Sequence, residues 1–252
     1  AYQDTVWDKV RRMRLNPPEY EYSDLSMYLM KALLERILGS RLDRYVDSAF
    51  YHPMGLRRIG YHPLDRFEKE EIVPTEQDRH WRKQILRGDV HDPTVAFLGG
   101  IGGPAGIFSN SADLATLMQM IVNGGQYGGK QYFDPETVKL FTSRQDGSRR
   151  GLGFDMQLPV PQCDKGYCCV SANPGTFGHF GYTGTCAWAD PQNKIVYVFL
   201  SNRVYPDDAN KKINAYRIRQ GVQQLIYDAL GLGLTPTKGF MAEEEDCYIE
   251  GV

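Results

Sequence analysis

Between Lys194 and Ser201 the chain reads Ile195-Val196-Tyr197-Val198-Phe199-Leu200, an unbroken apolar and aromatic run. It is too short for a buried helix and rich in β-branched and aromatic residues. Asp190-Pro191-Gln192-Asn193 in front of it is turn chemistry. The run therefore predicts a central strand buried on both faces. A chain with one such strand must build a sheet around it. The candidates lie upstream: Gly151 to Leu158, Gly175 to Tyr182 and Thr185 to Ala189. A helix from about 210 to 230 follows, and its Ile218, Val222, Leu225, Ile226 and Ala229 are spaced to cover one face of that sheet.

The first half has the other period. Ser23 can cap a helix starting near Asp24, in which Met30, Leu33, Leu34, Ile37 and Leu38 form an apolar stripe that Gly39 ends. Leu42, Tyr45, Val46, Ala49 and Phe50 repeat the pattern, and His52-Pro53 stops it. A third helix is capped by Asn110 or Ser111, carries Asp113 in its first turn and ends at Asn123-Gly124-Gly125. A fourth starts at Asp134-Pro135. From Arg57 to Pro104 no period is strong. Gly99-Gly100-Ile101-Gly102-Gly103-Pro104 lacks the Gly-Lys-Ser/Thr of a phosphate loop and reads as a tight backbone crossing. Helices, then consecutive hairpin strands, then a helix give an α+β fold: an antiparallel sheet flanked by helices. The whole reads as one domain, with a helical and irregular subdomain at about 20–145, sheet and last helix at about 150–232, and a tail at 233–252. Three or four strands make a thin sheet for 252 residues, so strands are expected to be missing.

Composition excludes several functions. Net charge is −2 with Lys and Arg scattered, which does not suit a nucleic-acid backbone. No stretch of 18 apolar residues exists to span a membrane. The acidic run Glu243-Glu244-Glu245-Asp246 reads as a solvated tail. Cys163-Asp-Lys-Gly-Tyr-Cys168-Cys169 permits a small disulfide loop or three reduced thiols, and its spacing matches no zinc ribbon. His91-Asp92 is the best seed for a metal site, but no His-Glu-x-x-His or cysteine quartet accompanies it, so no metal or cofactor is expected.

Two clusters remain: Tyr22-Ser23-Asp24 at the mouth of the first helix, and His179-Phe180-Gly181 inside a glycine-rich strand. Each alone is weak. With their flanks they resemble the serine β-lactamase and penicillin-binding-protein-like family, which includes D-alanyl-D-alanine carboxypeptidases, class C β-lactamases and esterases. Tyr22-Ser23-Asp24 is similar to the family's Tyr-x-Asn. His52-Pro53-Met54-Gly55-Leu56 resembles the Pro-Leu-Gly-Met that closes its next helix. Val90-His91-Asp92-Pro93, Gly103 to Ser109 and Asp113-Leu114-Ala115 resemble the stretch around its Asp-Leu-Ala helix. His179-Phe180-Gly181 is similar to Lys/His-Thr-Gly. The resemblance continues through Trp188-Ala189-Asp190-Pro191 and Asn202-Arg203 and covers about residues 20–230. It is nearest to lactamase-like modules of bacterial cell-wall enzymes, some fused behind family 3 glycosidases.

The resemblance implies a β-lactamase/transpeptidase-like fold and acyl transfer through a Ser-x-x-Lys serine. It makes Tyr22 the proton shuttle, provided that nearby cations lower its pKa. His179 would line the cleft, support the proton network and help hold an anionic substrate group. Gly181 would admit the substrate backbone, and the N–H of Tyr182 would be one oxyanion donor. It also implies an exported, periplasmic setting, a small-molecule or peptidoglycan-peptide substrate and, as one option, a neighbouring glycosidase domain.

No serine in this sequence has lysine three residues on, and Gly-x-Ser-x-Gly is absent. In the family the serine precedes Tyr-x-Asn by far more than the 21 residues available here. The chain also begins without Met. The nucleophile and the N-terminal portion of the fold are thus expected to lie upstream, leaving an inactive fragment with an open sheet edge that dimerises or keeps a partner. Asp24 stands where the family has asparagine; an ionised aspartate only accepts hydrogen bonds, where an amide also donates. Pro104 stands where relatives often have histidine. The alternative is a non-catalytic module on the same fold that recognises peptidoglycan or packs against a neighbouring domain.

Overall fold

In a computed structural model, residues 2–14, 22–145, 148–159, 162 and 166–234 are described. Cys163, Cys247 and the acidic run lie outside them. The chain forms two compact units: one of residues 1–113 with 204–207, the other of residues 114–203 with 208–252.

The first unit opens with α1 (Tyr2–Arg12), whose Asp4 and Lys9, Arg11 and Arg12 sit at the ends the helix dipole favours. The next helix, α2 (Leu25–Leu38), starts where expected. Ser23 Oγ accepts the backbone N–H of Leu25 at 3.2 Å, and Gly39 closes the helix in the left-handed region at φ 61. α3 (Leu42–Val46) then widens into one π-turn, Asp47–Tyr51. A hairpin of β1 (Glu76–Asp78) and β2 (Gln84–Leu86) breaks the long irregular stretch, and α4 (Pro93–Phe97) follows, capped by Asp92. The small core joins Tyr28, Val90, Val95 and Leu98, with Val6, Trp7 and Leu25 packed against it. The glycine-rich crossing is as tight as its composition implied: a Cβ at Gly103 would lie 2.5 Å from the carbonyl oxygen of Met27.

The hairpin loop is pinned by one carboxylate. Asp78 accepts the backbone N–H groups of His80, Trp81 and Arg82 at 2.9–3.0 Å, and Arg82 Nε at 3.0 Å. Those bonds, led by the Trp81 and Arg82 amides, hold its pKa well below the usual carboxylate range. A depressed folded pKa stabilises the fold above the unfolded value of about 4 and loses that contribution as pH falls toward the folded value. Asp78→Asn should lower Tm at neutral pH, with the gap from wild type closing on acidification below about pH 4; thermal melts across that range check it.

The second unit takes most of α5 (Ser111–Val122), then a two-residue hairpin of β3 (Gln126–Tyr127) and β4 (Lys130–Gln131), and α6 (Pro135–Phe141), whose N-cap is Asp134. Its sheet is β5 (Asp155–Met156), β6 (Phe177–Phe180), β7 (Cys186–Asp190) and β8 (Ile195–Phe199), antiparallel and in sequence order. The chain ends in α7 (Lys212–Ala215) and α8 (Ile218–Ala229). Arg217, at φ 47, breaks what the sequence predicts as one continuous helix. One side of the sheet packs Met118, Met156, Phe177 and Ala189; another cluster joins Cys168, Cys169, Cys186, Trp188, Tyr197 and Tyr227. Those three cysteines are buried free thiols.

Two expectations fail in the same way. β8 is an edge strand, not a central one: among the described residues only β7 pairs with it. α8 turns the wrong side to the protein. Arg219, Gln220, Gln223, Gln224 and Tyr227 are its buried residues, while Ile218, Val222, Leu225 and Ile226 are exposed, Leu225 at 68%. Hydrogen bonds hold the polar face inward. Gln223 Oε1 accepts the N–H of Cys169, Gln224 bonds both Ser171 N–H and Oγ, and Arg219 reaches the carbonyl of Thr185. α2 repeats this in the first unit, where Tyr28 is buried and Met30, Leu33, Leu34 and Ile37 are exposed. Periodicity finds an apolar stripe; it does not say what covers it.

Candidate active site

Tyr22 and Asp24 sit at the mouth of α2. The Tyr22 hydroxyl donates to Asp24 Oδ1 at 3.2 Å, and the ring is half exposed. The pKa-lowering cations that the sequence reading requires must come from another group. Further along this unit, His91 Nε2 lies 3.4 Å from Glu76 Oε2. Asp92 is committed to structure, accepting the Val95 N–H at 2.6 Å and the Tyr28 hydroxyl at 3.4 Å. Among the described residues no cluster fit to hold a metal ion exists.

His179, Gly181 and Tyr182 belong to the second unit, on β6 and the turn after it. The turn is closed by Gly181 N–H to the Thr185 carbonyl at 2.8 Å and Gly184 N–H to the Gly181 carbonyl at 3.0 Å. Gly181 has a role the sequence reading missed: a Cβ there would collide with Thr185 Oγ1. Gly178 is required for a similar reason, since a Cβ would meet the Trp188 ring at 2.6 Å. Tyr182 is anchored from two sides. Its hydroxyl donates to Asp208 Oδ2 at 2.5 Å, which, with burial, raises its pKa. Arg203 Nε donates to its carbonyl at 3.0 Å, and the guanidinium stacks 4.8 Å from its ring. Lys211 completes the group at 3.0 Å from Asp208.

The structure adds two residues at His179. Asp155, on β5, lies opposite Gly178, and its Oδ2 is 3.7 Å from His179 Nε2. Arg150 Nη1 is 2.7 Å from Asp155 Oδ1. His179 Nδ1 lies 2.6 Å from the carbonyl oxygen of Phe180. The available signal was a charged residue between Phe154 and Met156 in a strand otherwise fit for burial, two arginines upstream of it.

The fold and these motif positions define a β-lactamase/transpeptidase-like α+β protein. The beta-lactamase family model matches residues 1–221, and the chain belongs to that family. A relative in Escherichia coli K12, provisionally named a D-alanyl-D-alanine carboxypeptidase, is 33% identical over 239 residues, covering 87% of this chain and 55% of its own. One in Salmonella newport with the same provisional name is 34% identical over 221 residues, 80% of this chain and 51% of its own. The chain thus spans about half the length of these curated relatives. Among solved structures, a penicillin-binding-protein homologue from Caulobacter crescentus aligns with TM-score 0.55 at 19% identity, covering 80% of this chain and 59% of that one. A β-lactamase from Mycobacterium bovis aligns with TM-score 0.53 at 18% identity, covering 84% and 64%. Both share the fold.

Proposed function

We propose that the protein to which this chain belongs is an exported serine hydrolase that forms an acyl-enzyme with cell-wall peptides, D-amino-acid amides, esters or β-lactams. Tyr22 is its proton shuttle and β6 lines its cleft. The nucleophilic serine and its lysine come from a segment outside this sequence, and the chain alone is inactive. The observation that carries this reading is the coexistence of Tyr22-Ser23-Asp24 and His179-Phe180-Gly181, in family order, with no Ser-x-x-Lys anywhere.

The apolar stripes of α2 and of α8, and the edge of β8 that no described strand pairs, support covering segments. Large contiguous apolar faces mark interaction sites, and an unpaired strand edge invites another strand. Leu225→Glu should change the stability of this chain alone by no more than about 0.5 kcal/mol, as surface changes do. It should also abolish recovery of activity when the chain is mixed with the remainder of the domain. Alone, the chain should self-associate in light scattering; a monomer with a fully protected β8 edge in hydrogen exchange would count against a covering segment.

The test of function is labelling of the whole protein with a fluorescent penicillin or a fluorophosphonate, followed by peptide mapping. Label on a serine outside this sequence, lost with Tyr22→Phe, supports the hydrolase. A folded protein that neither probe labels favours a second reading, a peptidoglycan-recognition or domain-packing module, to which Asp24 in place of the family's asparagine also points.

A further inference from the structure

We propose that Asp155, anchored by Arg150, is the positioning residue that fixes the ring of His179. This rests on the hydrolase reading only for its consequence in catalysis; the geometry stands by itself. With Nδ1 2.6 Å from a carbonyl oxygen, that nitrogen must carry a proton, because two acceptors repel at that distance. Nε2 then faces the Asp155 carboxyl group. At 3.7 Å from Oδ2, that edge of the ring is held beside the Asp155 carboxyl group. Both ring nitrogens are turned to protein groups. His179 therefore offers a bound substrate a ring whose orientation Phe180 and Asp155 fix.

The surroundings fit this assignment. Asp155 is 4% exposed. Arg150 approaches Oδ1 as an ion pair without in-line hydrogen-bond geometry. Arg149, stacked 4.4 Å from the Tyr167 ring, adds to the positive field on the carboxylate. Across the sheet, Gly178 and Ala187 bring no charge, and Arg219 stacks 4.0 Å from Phe180, the neighbour whose side chain alternates to the other face. Burial raises the pKa of Asp155 even against His179 and Arg150. A raised carboxyl pKa means that stability present below the unfolded value is lost as pH rises through the folded one. An ionised Asp155 thus weakens the fold it sits in, which is a poor property for a structural residue and a familiar one for a working group.

The experiment uses this chain as it is. Proton–nitrogen NMR of the imidazole rings should show the His179 Nδ1–H as a slowly exchanging, hydrogen-bonded proton. In Asp155→Asn that exchange should become at least about tenfold faster, because an amide holds the ring far less strongly than a carboxylate. Tm at neutral pH should stay or rise. Arg150→Met, which frees the carboxylate from its anchor, should speed the same exchange. Faster exchange with Tm unchanged or higher supports the assignment. Unchanged exchange overturns it at any Tm, and faster exchange with a lower Tm overturns it as general loosening. In the whole protein, acylation of a penicillin probe should fall about tenfold or more in Asp155→Asn; absence of acylation in wild type would sink the hydrolase reading and leave the NMR result standing.

Discussion

The whole protein carrying Tyr22→Phe should acylate with a penicillin probe about a hundred to ten thousand times more slowly than wild type, the range that a positioned proton shuttle contributes. Its fold should not change, because the ring is half exposed and only its hydroxyl is removed. The hydroxyl donates to Asp24 Oδ1 at 3.2 Å, a bond that a base at Tyr22 would have to give up. A base at Tyr22 needs the charge of Asp24 neutralised, and an incoming lysine ammonium would do so while placing its own charge beside the phenol oxygen. Asp24→Asn removes the opposing charge and restores a side-chain donor. It should speed acylation by a β-lactam, whereas Tyr22→Phe slows it. Stopped-flow labelling of both variants checks the pair of signs; a rate unchanged in Tyr22→Phe would remove the tyrosine from the chemistry.

Asp190→Ala should unfold the second unit at markedly lower temperature, at a cost of at least about 3 kcal/mol by the penalty for stranded buried donors. The side chain is 1% exposed and collects donors from four places. The backbone N–H groups of Gln192 and Asn193 bond Oδ1 at 3.1 Å, and the N–H of Asn173 bonds Oδ2 at 3.3 Å. Asn193 Nδ2 reaches Oδ2 at 2.8 Å, and the hydroxyl of Tyr227, fully buried on α8, donates to the same oxygen at 2.8 Å. Burial, and then the bond to Asp190, push the Tyr227 pKa far up, so the phenol stays a donor at every working pH. One carboxylate therefore shapes the β7–β8 turn and ties α8 to it. Tyr227→Phe removes a single donor and should cost about 1 kcal/mol. Urea melts of the two variants separate a hub from a contact; equal costs would refute the hub.

The turn was legible in the sequence, and the hub was not. Asp190-Pro191-Gln192-Asn193 announces a hairpin, but nothing in it says that Tyr227 lies above. The same limit governs the rest of the fold. The four strands of the sheet, a helix beginning just after Ser23 and its end at Gly39 follow from local rules, whereas the short hairpins β1–β2 and β3–β4 were not read. The edge position of β8 and the outward face of α8 depend on contacts distant in sequence. Gln223 and Gln224 look like a solvent face by composition, yet they are buried because the 169–171 segment offers them hydrogen bonds. At the candidate site, motif order picked out Tyr22, Asp24, His179, Gly181 and Tyr182. Asp155, the carboxyl group beside His179, was passed over because its place comes from the register β5 takes beside β6, and no linear pattern records a register.

The three sealed thiols have a practical consequence. Burial carries Cys169 and Cys186 up to about 12 and raises Cys168 well above the ordinary thiol value, so none offers a thiolate to an alkylating reagent while the sheet is closed. Each becomes reactive only when its surroundings open. The rate at which iodoacetamide marks each one, resolved by peptide mass, is therefore a clock for that opening, and the ratio of closed to unfolded rates gives the local opening free energy. Cys186 times the release of β7, and Cys168 and Cys169 time the release of the segment under α8. A ligand or a covering segment that tightens the sheet should slow the first clock, the second or both, which turns an unmodified protein into its own binding sensor.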